Sequence, residues 1–161
     1  MNYITRKAIC VDIKQMCKCN KESLPVVYSP RDFAIMILNE KYIVLVCEKE
    51  KGCELLGYII SRKEKIDNKE KGHIVAIAVY EKYRCNGIGT NLMNESERLL
   101  KHYFHITFIT LNVKKRNNNA IKFYKEKLGY KKYLKKHKYY GKNEHGIMMR
   151  KDLIWFLIYL D

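Results

Sequence analysis

The sequence predicts an α/β domain built on a mixed sheet, and three observations carry that expectation. Apolar runs that alternate at a two-residue period are interleaved with stretches at helical spacing, in the order βααββ, then βαβα, then ββ. One run, "HIVAIAVY" at residues 73–80, is apolar on both alternating faces, as a strand is when each of its sides is covered. The length of 161 residues suits one domain with a real core and leaves little room for a second.

Each element follows from local pattern. "YITRKAI" at 3–9 alternates as a strand, and "VDIKQMCKCN" then places Val11, Ile13, Met16 and Cys17 at helical spacing. Pro25 and Pro30 are the only prolines, so Leu24 to Tyr28 is expected to be extended, with Ser29 capping a helix that begins at Pro30 and runs to about Asn39. "YIVLVCE" and "LLGYIISRK" are β-branched runs on either side of the charged "KEKGCE", a hairpin pattern. "KEKIDNKEKG" at 63–72 reads as a loop before the central strand. From Ile88, the residues Leu92, Met93, Leu99, Leu100 and Tyr103 share one helical face, while Asn91, Asn94, Glu95, Glu97 and Arg98 fall off it. "ITFITLNV" is a further strand, "NNAIKFYKEKLG" a short helix closed at Gly129, and "YKKYL" and "HGIMMRK" a final pair of strands.

The formal net charge of +15 fits binding to nucleic acid, to phosphorylated cofactors or to the ribosome surface. The densest segment, "YKKYLKKHKYYGK" at 130–142, interleaves aromatics with Lys as single-strand binders do. The same Lys and Asn bias recurs in "KKRNNN" and "KEKIDNKEK", where no chemistry is evident, so direct nucleic-acid binding is not expected. The six cysteines are irregularly spaced and Cys17-x-Cys19 lacks the gap of a zinc pair, so no metal is expected and reduced thiols of a cytoplasmic protein are. No window approaches the ~20 apolar residues of a membrane span, which points to neither secretion nor insertion.

The stretch "YRCNGIGTNLMNESERLL" at 83–100 carries the most chemistry. A buried strand ends at Tyr80, a tight turn follows, and a helix starts at Gly87 and Gly89. Such a turn exposes backbone N–H groups, glycine removes the Cβ that would block close approach, the helix N-terminus favours negative charge, and Arg84 adds a cation. A pyrophosphate suits that setting. The loop is not a P-loop, since no Gly-Lys-Ser/Thr follows, and not a dinucleotide fingerprint, since Gly-x-Gly-x-x-Gly is missing.

Read whole, "VAIAVYEKYRCNGIGTNLM" resembles the cofactor motif of the GNAT acetyltransferases, Arg/Gln-x-x-Gly-x-Gly/Ala after the fourth strand. "LNVKKRNNNAIKFYKEKLGY" is similar to a second block found in N-terminal acetyltransferases, and "CNKESLPVVY" to a loop of the NatA and NatE catalytic subunits and their bacterial relatives, among them the ribosomal-protein alanine acetyltransferases. The resemblance covers roughly residues 3–153. It implies a GNAT fold over 1–153, a mostly antiparallel twisted sheet of six to seven strands with four helices, followed by an apolar tail at 154–161. It further implies acetyl-CoA held by Ile77, Ala78 and Val79 at the strand end, by Arg84, Cys85, Asn86, Gly87, Ile88, Gly89 and Thr90, and by Asn117 and Tyr124. Tyr124 would stand beside the CoA sulfur, and Leu24, Pro25, Val26, Tyr28, Tyr139 and Tyr140 would line a peptide channel.

Acetyl transfer to an amine needs a neutral nucleophile, and an α-amine of pKa ~8 is about a tenth neutral at pH 7, whereas Lys near 10.4 is neutral less than one part in a thousand. A mild base acting through water suffices for the α-amine, and His73, at the start of the central strand, suits that role with an ordinary pKa near 6.5. Tyr124 would remain protonated and able to donate. Two positions depart from the family pattern. Asn112 stands where many relatives carry His, and can orient a water but not take its proton; Val26 stands where a NatA-like loop carries an acid. The apolar "LPVVY" resembles the NatE-type loop that accepts an initiator methionine. The expected partners are a protein N-terminal peptide and an auxiliary subunit or the ribosome; the alternatives are a lysine or polyamine acetyltransferase and a non-catalytic module.

Overall fold

The structure, a computed structural model, describes residues 2–50, 54–66, 69–141 and 144–153. The expected tail at 154–161 lies outside the described residues. The elements run β1 (Tyr3–Lys7), α1 (Ile13–Ser23), α2 (Pro30–Leu38), β2 (Tyr42–Lys49), β3 (Leu55–Ile66), β4 (Lys69–Val79), α3 (Ile88–Phe104), β5 (Phe108–Lys114), α4 (Asn118–Lys122), β6 (Lys131–Gly141) and β7 (Glu144–Asp152). They form a seven-stranded sheet in the order β1-β2-β3-β4-β5-β7-β6, antiparallel at every pairing except β4 with β5.

Helices cover both faces, which is why the central strand reads as apolar on both sides. On one face α3 buries Ile88, Leu92, Met93, Leu99 and Leu100 against Ile43, Leu45, Ile59, Ile74, Ile109 and Leu111. On the other, α1 and α2 bury Met16, Cys19, Phe33 and Met36 against Val44, Val46, Tyr58, Ile60 and Ala78. Ser29 caps α2 as expected, accepting from the Asp32 amide at 3.2 Å while the Asp32 carboxylate takes the Ser29 amide at 2.7 Å. Arg6 of β1 pins the start of α1 by donating to Asp12 at 2.8 and 2.9 Å and to Glu48 of β2 at 2.8 and 3.0 Å.

Several expectations are corrected. Residues 63–66 and 69–72, read as loop, are strand: β3 and β4 continue as a long antiparallel arm to Ile66 and Lys69. Glu64 of β3 faces Lys71 of β4 and pairs with it across the arm, and with Arg62 along its own strand, so a polar run is compatible with a ladder. β1 stops at Lys7, and Ile9 and Val11 are exposed in a 3-10 turn, so α1 is packed by Met16 and Cys19 rather than by Val11. On α3, Tyr103 is half-exposed beneath the Lys7 ammonium, whereas Glu97 is buried, accepting from Tyr130 Oη at 2.9 Å and Lys151 Nζ at 2.5 Å. The helix expected at 118–129 is a five-residue α4 followed by a π-turn, Phe123–Lys127, closed by left-handed Gly129. β6 runs to Gly141 rather than ending at Leu134.

Two irregularities shape the surface. β4 and β5 pair only from Gly72 to Ile74 against Ile109 to Leu111. The register against β3 shifts there, Ile60 facing Ala76 and Ser61 facing Ile74, so Val75 is an extra residue in β4 and the strand bends away from β5 at that bulge. The second irregularity lies in β6: Lys136 faces Gly146 and Gly141 faces Glu144, so residues 137–140 bulge opposite the single residue His145. That bulge carries Tyr139 and Tyr140.

Candidate active site

Beyond Ile74 the facing edges of β4 and β5 have no ladder partner in each other, which leaves a cleft between the diverging strands. At one mouth of the cleft lies the glycine loop. Cys85 and Gly87 both adopt left-handed backbone, with φ of 62° and 78°, and Gly87 is the N-cap of α3. Gly87 supplies no side-chain acceptor and no acid occupies the first turn, so neither the cap nor the first turn offers the opening N–H groups, at Ile88, Gly89 and Thr90, a carboxylate to meet. The fit to an anion is therefore good. Arg84 Nε donates to the Val79 carbonyl at 3.2 Å, and Asn86 Nδ2 to the carbonyls of Tyr83 and Arg84 at 3.3 and 3.0 Å. These two side chains brace the loop on itself. Ile88 is buried in the core below, and a Cβ on Gly89 would stand 3.4 Å from the Phe123 ring.

The π-turn stands across from this loop. Tyr124 packs edge-on toward Tyr130 with centroids 6.1 Å apart and against Phe123 at 5.3 Å. Burial pushes its phenol up to about 12. Asn117 caps α4, its Oδ1 accepting from the Ala120 amide at 3.1 Å. Ile77 and Val79 of the bent β4 segment pack on the α3 side, and Ala78 on the α1–α2 side.

Ile109, Leu111 and Val113 of β5 point into the α3-side core, so strand alternation turns Thr110, Asn112 and Lys114 to the other face. His73 shares it: its Nδ1 lies 2.9 Å from Thr110 Oγ1. Burial lowers the His73 pKa to about 4, helped by Lys71, Arg62 and Lys136 and opposed by Glu64. The expectation of a base near 6.5 is corrected accordingly, and the imidazole is neutral throughout the neutral range. Asn112 Nδ2 donates to Tyr139 Oη at 3.1 Å, while its buried Oδ1 has no partner among the described residues.

The remaining expected residues approach from two sides. Asn20, fully buried on α1, donates Nδ2 to the Val26 carbonyl at 3.0 Å and accepts the Tyr28 amide at 2.8 Å, which shapes the segment 24–28. Pro25 and Val26 are exposed, and Leu24 and Tyr28 are half-buried. From the other side come Tyr139 and Tyr140, rings 4.9 Å apart and edge-on, seated on Gly146, where a Cβ would lie 3.2 Å from each. Burial pushes the Tyr140 phenol up to about 12, with a smaller contribution from Tyr139 and Tyr28. Sequence reasoning missed Lys71, Thr110, Asn20 and Gly146. Lys71 sat in an apparently solvated run, and the other three become visible only once strand register and helix facing are known.

The acetyltransferase (GNAT) family model matches residues 13–130. Over 148 residues the chain is 31% identical to the N-terminal acetyltransferase A complex catalytic subunit NAA10 of Arabidopsis thaliana, covering 92% of this chain and 77% of that one. Over 159 residues it is 34% identical to an N-alpha-acetyltransferase of Sulfurisphaera tokodaii, covering 94% and 93%. Among solved structures, a chain of a NatC complex bound to Gag peptide and CoA superposes with a TM-score of 0.84 at 18% identity, covering 96% of this chain and all of that one (100%).

Proposed function

This chain belongs to the acetyltransferase (GNAT) family, and within that family we propose that it transfers the acetyl group of acetyl-CoA to the α-amine of protein N-termini, preferring those that begin with methionine. The observation that carries the reading is the cleft itself. An anion-ready helix start lies at one mouth, and a polar face with a neutral imidazole and an unpartnered amide oxygen lies within reach of a groove walled by tyrosines. The α-acetyltransferases among its relatives support the substrate class.

The residues present fit the cosubstrate. The N–H groups of Ile88, Gly89 and Thr90 would take the pyrophosphate, with Arg84, Cys85 and Asn86 forming the loop, the bent segment Ile77–Val79 would offer its free edge, and Asn117 and Tyr124 would flank the arm. When bound, acetyl-CoA supplies an activated acyl carbon and a thiolate leaving group. Asn112 Oδ1 would accept from the amine or from the water beside it, His73 Nε2 would take the proton, and the Tyr124 hydroxyl, with its raised pKa, would stay protonated to donate to the departing sulfur. Val26, apolar and exposed, supports an unbranched apolar first side chain.

Exposed Ile9, Val11, Ile35 and Leu38, on and beside α1 and α2, support an auxiliary subunit as partner; a cytoplasmic setting is part of the same proposal. We assign the acetyltransferase domain to 1–153 and the tail to 154–161. No helix among the described residues is long and apolar enough to cross a membrane.

A peptide array incubated with labelled acetyl-CoA tests the reading. Label is expected on peptides with free N-termini, most on those starting with Met. Label confined to internal lysines of N-blocked peptides or to polyamines would replace the substrate class, and no label on any amine would favour a non-catalytic module.

A further inference from the structure

Lys71 is 2% exposed, yet it is a cation and the proposed chemistry does not use it. Burial of an ammonium is tolerated where its charge is paired and hydrogen bonds replace its lost water. Glu64 Oε2 neutralises it at 3.0 Å, and Glu64 in turn accepts Arg62 Nε at 2.8 Å and Nη2 at 2.6 Å. Lys71 Nζ also donates to Thr110 Oγ1 at 2.9 Å, the same hydroxyl oxygen that lies 2.9 Å from His73 Nδ1 and 3.4 Å from the Gly72 carbonyl.

A hydroxyl has one proton and two lone pairs. The Lys71 ammonium can only donate, so it takes one lone pair. A backbone carbonyl can only accept, so the bond to Gly72 takes the proton. What remains for His73 is the second lone pair, which requires Nδ1 to carry hydrogen. In the opposite tautomer the Thr110 proton would turn to Nδ1, and the contact with Gly72 would be lost. Only the Nδ1–H form makes all three contacts of the hydroxyl at once.

We propose that Lys71 and Thr110 are positioning residues that hold His73 as the Nδ1–H tautomer, so that Nε2 presents a lone pair able to accept a proton. The assignment of His73 as proton acceptor rests on the function proposed above; the tautomer does not. Thr110 faces His73 from β5, Lys71 lies beside it on β4, Arg62 and Glu64 face it from β3, and Lys136 from β6. Burial holds the ring neutral, and the three cations add to it against the one carboxylate. Removing Lys71 would therefore do two things. It would free the hydroxyl to rotate, mixing the tautomers, and it would move the ring's pKa upward toward the ordinary value.

The test is the imidazole nitrogen-15 spectrum of the full chain near neutral pH, assigned by its loss in His73→Gln. The expected pattern for His73 is a protonated, pyrrole-like Nδ1 and a bare, pyridine-like Nε2. A protonated Nε2 in the unmodified protein overturns the proposal, whatever the enzyme acetylates. Thr110→Ser keeps the hydroxyl and is expected to keep the pattern, whereas Lys71→Met is expected to mix it and to raise the titration midpoint of the ring. Thr110→Val should lose the pattern and lower kcat at least about tenfold with acetyl-CoA affinity unchanged. An unaltered tautomer and midpoint in Lys71→Met also overturns the proposal. The expected spectrum in a protein that labels no peptide N-terminus would instead leave the tautomer standing and remove the substrate reading.

Discussion

Asn112 donates its amide to the Tyr139 hydroxyl at 3.1 Å, and among the described residues nothing donates to its own buried carbonyl oxygen. A buried acceptor without a donor costs about 1–3 kcal/mol, so the position is poor for stability and suited to a substrate N–H or a water. Asn112→Leu is accordingly expected to stabilise the fold by ~1 kcal/mol in urea denaturation while lowering kcat/KM on peptide at least about tenfold. A variant both less stable and fully active would show that the oxygen has no role in substrate handling.

The low pKa of His73 sets the pH dependence. Its folded value of about 4 lies below the unfolded ~6.5, so the unfolded chain binds the extra proton between those limits. The contribution to stability is complete above ~6.5 and is lost as pH falls toward 4. In kinetics, kcat/KM should rise through the amine's own pKa near 8 with no inflection near 6.5, and His73→Phe should lower the rate by ~10²–10⁴. A clear inflection near 6.5 that disappears in His73→Phe would mean the ring is far less buried than the geometry states.

Gly87 holds φ of 78° at the start of α3. Gly87→Glu adds both backbone strain and a carboxylate where an anion should bind, and should abolish acetyl-CoA binding in calorimetry with cooperative unfolding retained. Gly87→Asn, which tolerates left-handed backbone, should retain most of the affinity. Equal affinity in the Glu variant would remove the phosphate assignment.

Specificity should be adjustable at Val26. Each buried methylene contributes ~0.8 kcal/mol, so Met at the first position should exceed Ala or Ser by roughly tenfold or more in kcat/KM. Val26→Glu should erode that preference by presenting a charge to the thioether stem. Initial rates on peptides differing only at residue one decide it; a preference for Ser or Ala in the unmodified protein would overturn the methionine preference.

Asn20 offers a test of the groove's other wall. Asn20→Ala removes two hydrogen bonds to the 26–28 backbone and should cost about 2 kcal/mol of stability. It should raise the peptide KM several-fold while leaving acetyl-CoA affinity unchanged, measured by initial rates alongside calorimetry.

The glycine loop, the central strand and the Ser29 cap could be read from sequence because each depends on neighbours within a few positions. The same holds for the β3–β4 strands as far as apolar residues mark them. Their charged extension was missed because Arg62, Glu64 and Lys71 look like solvated residues until the ladder brings them together. The β6 bulge is invisible for a related reason: a register slip of three residues leaves no trace in periodicity, and it is the slip that presents Tyr139 and Tyr140. Thr110 is one alternating residue among several on β5, and its importance comes wholly from two side chains on another strand.

The sheet ends in two open edges, and they are guarded differently. β1 is five residues long, too short to template much of a ladder, whereas β6 is eleven residues long and carries lysines at 131, 132, 135, 136 and 138. A second chain aligning along that edge would bring ammonium groups face to face. Part of the strong positive charge of this sequence is thereby accounted for as protection against edge-to-edge aggregation, and neutralising those lysines would be felt first as lost solubility rather than lost catalysis.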